Sequence, residues 1–201
     1  ARMRRCFTWL MCLLACLCVL PAMAQEQVQS APLSRAVSTR NGMVRVYLSS
    51  LGSPTTLDVT VAGKYTADGA QDLSLTTGET VRIRFDTSTG QISLVSSGKT
   101  YAMGQEMALR RHATSGSNGV RIAQARKSGN LYPGDLRLIA RKSGSSWRLY
   151  PIAYVYMEDY LCGVVPYEMG NGAQLEALKA QAVAARTYTL NKMNQRSSGL
   201  Y

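Results

Sequence analysis

The chain is short of acids, of histidine and, beyond its first eighteen residues, of cysteine. Twelve Asp and Glu stand against 23 Lys and Arg, giving a formal charge of +11. An excess of that size suggests an anionic partner: wall polymer, glycan carboxylates or lipid headgroups. Nucleic acid is not expected as a partner, because no recognition motif accompanies the charge. The single histidine, His112, stands alone in sequence, and Cys162 has no neighbour at ligand spacing, so these residues offer no metal site. No cofactor is expected. Cys6, Cys12, Cys16 and Cys18 crowd the N-terminal segment. Once that segment is removed, Cys162 remains and no internal disulfide can form. Cys162 lies in an apolar helical run and is expected as a small buried core residue.

What the N-terminus does have is a targeting pattern. Arg2, Arg4 and Arg5 precede an apolar run over residues 6–20, followed by Ala22-Met23-Ala24. A charged region, an apolar stretch and a small-x-small site predict a signal peptide over 1–24, cut after Ala24. A spanning helix needs about 20 apolar residues, so an uncleaved anchor is the second reading. Cleavage removes three arginines and lowers the charge from +11 to +8. The mature chain is expected to be secreted or in the cell envelope. Residues 25–42 are polar and unpatterned, as in a linker.

From 43 to 125 the pattern predicts a β-rich part. "MVRVYL" and "TTLDVTV" alternate, and "ETVRIRFD" and "GQISLVS" flank a turn at "TSTG". "AGKYTADGA" and "LTTGE" read as turns. Residues 104–135 read as loops with one strand near "GVRIA". "DLRLIAR" and "WRLYPIAYVY" then predict a hairpin around "KSGSS". Its aromatics Trp147, Tyr150, Tyr154 and Tyr156 could form a sugar-stacking platform, although cross-strand packing is the default for such residues.

The period then changes. Glu158 and Asp159 supply an acidic first turn for a short helix, "EDYLCGVV", which Pro166 is expected to end. "PYEMGNGAQ" reads as a loop carrying Glu168. From about Gln174 a helix of about five or six turns is predicted. It packs through a stripe of Leu175, Leu178, Ala182, Ala185 and Thr189. Arg186 and Lys179 lie about 20° and 40° round from Leu175, flanking the seam and bordering a cleft. The fold class is thus α+β: an N-terminal antiparallel β module followed by a mixed hairpin–helix region over 126–201. By spacing alone, Glu168 is a loop acid that caps the next helix or accepts backbone N–H bonds.

The stretch "EDYLCGVVPYEMGNGAQLEALKAQAVAARTYTL", residues 158–190, resembles the signature of the stage II sporulation protein D family (SpoIID/LytB domain). Glu158 to Leu161, Gly163 to Pro166, Glu168-Met169 and Glu176 to Tyr188 match that signature without a gap. The β-rich region before it, with "VRVYLS", "GKYTADG" and "LTTGETVRI", resembles the family's N-terminal part more loosely, so that the full likeness covers roughly 43–201. Gly170, Ala173 and Gln174 stand where the family often has Pro, Trp and Pro, which leaves the loop without an aromatic. Family members continue beyond the matched helix, so the catalytic core is expected to be incomplete at residue 201.

The resemblance implies a peptidoglycan lytic transglycosylase that cuts the MurNAc–GlcNAc β-1,4 bond of glycan freed of stem peptides, leaving 1,6-anhydroMurNAc ends. It implies Glu168 as the catalytic acid/base and Lys179, Arg186 and Tyr188 as substrate-binding residues. One carboxylate suffices in such a scheme, whereas hydrolases commonly pair two. A cation clamped on Glu168 would lower its pKa and spoil it as an acid, so Lys179 and Arg186 are expected to hold substrate carboxylates. The partners implied are glycan strands, with a cell-wall amidase or sporulation envelope proteins as further candidates. The alternative is a non-catalytic wall-binding or amidase-stimulating protein.

Overall fold

A computed structural model of the chain describes residues 29–30, 43–113, 117–127, 129–170 and 172–194. The expected signal segment lies outside them, as does the linker apart from Gln29–Ser30, which form β1. The remaining strands are β2 (Met43–Tyr47), β3 (Thr56–Ala62), β4 (Tyr65–Ala67), β5 (Ala70–Leu75), β6 (Thr80–Phe85) and β7 (Ile92–Ser96). They continue as β8 (Lys99–Gly104), β9 (Glu106–Arg111), β10 (Gly119–Ile122), β11 (Asp135–Ser143) and β12 (Ser146–Tyr156). Helices α1 (Met157–Met169) and α2 (Leu175–Asn194) follow. The α+β expectation holds.

Two six-stranded sheets form, ordered β1-β8-β7-β6-β3-β10 and β2-β12-β11-β9-β4-β5. All pairings are antiparallel except β1 with β8. Strict alternation explains the first sheet: Val81, Ile83 and Phe85 of β6 turn inward while Thr80, Arg82 and Arg84 face water. Leu57, Val59 and Val61 of β3 join them, and Leu109, Leu136, Leu138 and Leu149 of the second sheet close the same core from the other side. Strands from both sides of residue 125 share a sheet, since β2 pairs with β12 and β9 with β11.

Three segments depart from expectation. "AGKYTADGA" contains β4 and the start of β5 where turns were read, because Tyr65, Ala67 and Ala70 are buried under the second sheet's neighbours. The region read as loops contains β9, a strand held between β11 and β4. Its Met107, Ala108 and Leu109 are buried in succession, so it shows no alternation to recognise.

The third departure is at α1, which does not stop at Pro166 but runs through it to Met169. The proline removes an N–H that would have met the Cys162 carbonyl. Cys162 is exposed there, and not buried as expected. Gly170 ends the helix at φ 77°, its N–H bonding to Pro166 O at 2.9 Å.

Candidate functional site

The longest hairpin among the described residues, β11–β12, delivers the site. Strand β12 leads straight into α1, with Tyr156 in extended conformation at the junction. Leu161 and Val165 bury one side of α1, and Tyr160 packs against the main core. Helix α2 folds back on α1, resting on it through Leu178, Ala182, Ala185 and the buried Thr189. Leu175, expected in that stripe, is exposed instead, as are Val183, Tyr188, Leu190 and Met193.

Glu168 occupies the last turn of α1, and not a loop as the sequence suggested. Its carboxylate is open to solvent and accepts a close hydrogen bond from Gln181 Nε2 of α2. Its recorded partner is therefore a neutral amide, and neither Lys179 nor Arg186 is paired with it. The Gln181 contact ties the end of α1 to the middle of α2 and sets the direction in which the carboxylate points.

The two predicted cations are placed differently from each other. Arg186 lies half-buried beside the seam, as expected, and its Nη2 donates to both oxygens of Glu158 at 2.8 and 2.6 Å. Lys179 is on the open side of α2, and its Nζ donates to Glu176 one turn back at 2.8 Å. Exposed pairs of this kind contribute about 0–1 kcal/mol, so an incoming carboxylate can displace either acid at little cost. Tyr188 is 65% exposed, with Lys192 Nζ 5.6 Å from its ring centroid. It lies away from Lys179 around the helix, so these side chains do not converge on one point.

Sequence reasoning missed what holds α1 in place. Arg111, at the end of β9, has a side chain only 2% exposed, and its Nη2 meets Asp159 Oδ2 of α1 at 2.9 Å. Its guanidinium also lies 5.6 Å from the Tyr156 ring centroid, and its backbone N–H donates to Asp135 at 2.8 Å. Asp159, expected only as a charge in the first turn, is thus also the bolt between helix and sheet. Nearby, Tyr65 donates its hydroxyl to Gly134 O at 2.8 Å, and burial pushes that phenol well above its ordinary pKa. Arg110, beside Arg111, is held charged by its hydrogen bond to Asp68. The signals available were an acid in a helix's first turn and the adjacent arginines that end β9, but nothing local pairs residues 48 positions apart.

Comparison with known proteins bears on this same unit. No solved structure matches the chain. A stretch of 34 residues is 62% identical to an uncharacterized protein of Brachyspira hyodysenteriae, covering 17% of this chain and 9% of that protein. The chain thus aligns with under a tenth of that relative's length. A family model described as Stage II sporulation protein (SpoIID) matches residues 146–201, and residues 43–145, where a looser likeness was read, lie outside the match. The match opens at the first residue of β12 and takes in α1 and α2. The strand–helix–helix unit that carries Glu168 therefore belongs to the SpoIID family of stage II sporulation proteins, which is linked to cell-wall lytic function.

Proposed function

We propose that this chain contributes the acid/base carboxylate of a peptidoglycan lytic transglycosylase, with Glu168 in that role. The observation that carries the reading is the state of the carboxylate. It is solvent-open at the end of an anchored helix, oriented by neutral Gln181 and free of a cationic clamp. A general acid has to present a proton to the substrate, and an ion pair with Lys179 or Arg186 would oppose that.

The chemistry balances with one carboxyl group. Protonated Glu168 gives its proton to the glycosidic oxygen as the C1–O bond of MurNAc breaks and the GlcNAc 4-hydroxyl departs. The MurNAc C6 oxygen then closes on C1, and its proton returns to Glu168. No water is consumed, and the product is a 1,6-anhydro end. Arg186 and Lys179 exchange their surface acids for substrate groups such as the lactyl carboxylate, for which an arginine fork is well shaped. Glycan strands stripped of stem peptides are the substrate in this scheme, and an amidase is the natural supplier of them. Such a reaction belongs outside the cytoplasm, in the envelope.

Glu168→Gln in the full protein tests the assignment, since the amide preserves shape and removes the proton. Amidase-treated sacculi incubated with wild type are expected to yield anhydro-muropeptides by mass spectrometry. The variant is expected to yield about a hundredfold less or lower still, with glycan binding retained. Undiminished product from the variant would remove Glu168 from the reaction. Binding without product from wild type would favour an accessory, wall-binding role.

A further inference from the structure

We propose that the outer face of the second sheet, towards the turn end of the β11–β12 hairpin, is a separate binding site for an anionic glycan strand. In it Tyr47 and Tyr150 take the sugar rings and Arg141 and Arg148 take the carboxylates. The site is built from residues that the Glu168 reaction does not use.

The register places Arg141 directly opposite Arg148. Like charges facing each other across an antiparallel pair destabilise it, so the arrangement is unfavourable until an anion arrives. Both side chains are exposed. Among the described residues neither forms an ion pair, the recorded bond of Arg141 being Nη1 to the Ala140 carbonyl at 3.2 Å. The nearby acid on this face, Glu106, is already taken by Arg137.

The period of two puts Arg148 and Tyr150 on the same side of β12, about 7 Å apart along the strand. Tyr47 joins them from β2, its ring centroid 5.7 Å from that of Tyr150 at an interplanar angle of 43°. Both tyrosines are half-buried. Ile139 stands opposite Tyr150 and Ile152 opposite Tyr47, and both isoleucines are sealed in a small cluster with Met43 and Tyr154. The rings are therefore braced before any ligand binds, which lowers the entropy lost on binding. A sugar ring lays its C–H surface against these tyrosines and its acidic substituent against the arginines.

The test titrates the full chain with three polymers: glycan strands freed of stem peptides, a neutral N-acetylglucosamine oligomer and poly-glutamate. Single-stranded DNA and anionic lipid vesicles are run beside them. The double substitution Arg141→Ser/Arg148→Ser is expected to weaken glycan binding about tenfold and to flatten its salt dependence. Tyr150→Leu is expected to weaken glycan and neutral oligomer alike by about fivefold while leaving the salt dependence unchanged. Tyr47→Leu serves as the second aromatic variant, and thermal unfolding verifies that each folds. Wild-type glycan affinity in the arginine variant would overturn the proposal. So would tyrosine variants that bind glycan normally while poly-glutamate competes equally, since that describes a general cationic patch. Tighter binding of DNA or vesicles than of glycan through these residues would overturn it as well.

Discussion

Replacing Asp159 by Ala tests whether α1 is bolted to the sheet or merely leans on it. The carboxylate meets Arg111 Nη2 at 2.9 Å, with the arginine side chain 2% exposed and the aspartate 34%. The two sides of this pair are therefore not equivalent. Removing Asp159 takes the carboxylate partner from a guanidinium in the interior that keeps a hydrogen bond of 3.5 Å to the Asn118 carbonyl, and breaking a buried pair from one side costs about 3–5 kcal/mol. Part of the Asp159 charge is solvated already, and Asp135 stays close to Arg111. The lower end of the range, about 3 kcal/mol, is expected, which in a chain of this size is about 6–12 °C in Tm. Arg111→Met removes the buried charge itself, keeps the apolar stem, and leaves Asp159 where water reaches it. Its cost is expected to be smaller, about 1–2 kcal/mol. The double variant Arg111→Met/Asp159→Ala is then expected to be close to Arg111→Met alone, because the pair is already broken. Urea titration at pH 7 with linear extrapolation measures all three. An Asp159→Ala cost within about 0.5 kcal/mol of wild type would refute the anchoring argument. An Arg111→Met cost exceeding that of Asp159→Ala would refute it too.

Two further outcomes follow from single positions. Hydrogen bonds from the Ser88 hydroxyl, the Ser88 N–H and the Thr89 hydroxyl hold the Asp86 pKa at about 2, down from 3.8. The stabilisation is present above the unfolded value and is lost as pH falls from about 4 to about 2, so the wild-type urea midpoint is expected to drop there more steeply than in Asp86→Asn; parallel curves would refute this. Gly134 has φ 101°, and a Cβ there would sit 2.0 Å from Tyr154 O, a backbone atom that cannot step aside. Gly134→Ala is expected to cost at least about 2 kcal/mol by thermal or urea unfolding, and a neutral result would mean that the β11 entry is looser than described.

Most of the β architecture could be read from the chain because one face of several strands is wet. In β3, β6 and β7 the residues alternate between core and water, and such strands announce themselves. β9 is covered on both faces around Met107, Ala108 and Leu109, so its sequence carries no period. Its identity as a strand comes from β11 and β4, which lie elsewhere in the chain. β4 and β5 fail for a different reason. Their buried residues include two alanines, and Asp68 and Gly69 between them supply a turn signal strong enough to mask the short strands on either side. The pairing of Arg111 with Asp159 depends on tertiary placement alone, as does the pairing of Glu158 with Arg186. No periodicity argument reaches such a contact.

The same reasoning explains why Glu168, singled out through the resemblance, was expected in a loop and stands in a helix. A proline usually stops a helix, so local rules put Glu168 in a loop, with no defined direction for its side chain. The structure keeps α1 helical for one more turn because Leu161 and Val165 are buried against the sheet, and that packing outweighs one missing N–H. At 100° per residue, Glu168 falls within about 60° of both Leu161 and Val165, on the side of the helix that faces protein. It comes one turn after that side has run out of core, which is why the carboxylate emerges into solvent next to Gln181 and not on the far side of the helix. Its direction is thus inherited from two apolar side chains and would be lost if the helix ended at Pro166. The chemistry proposed for Glu168 rests on the burial of Leu161 and Val165 as much as on the carboxylate itself.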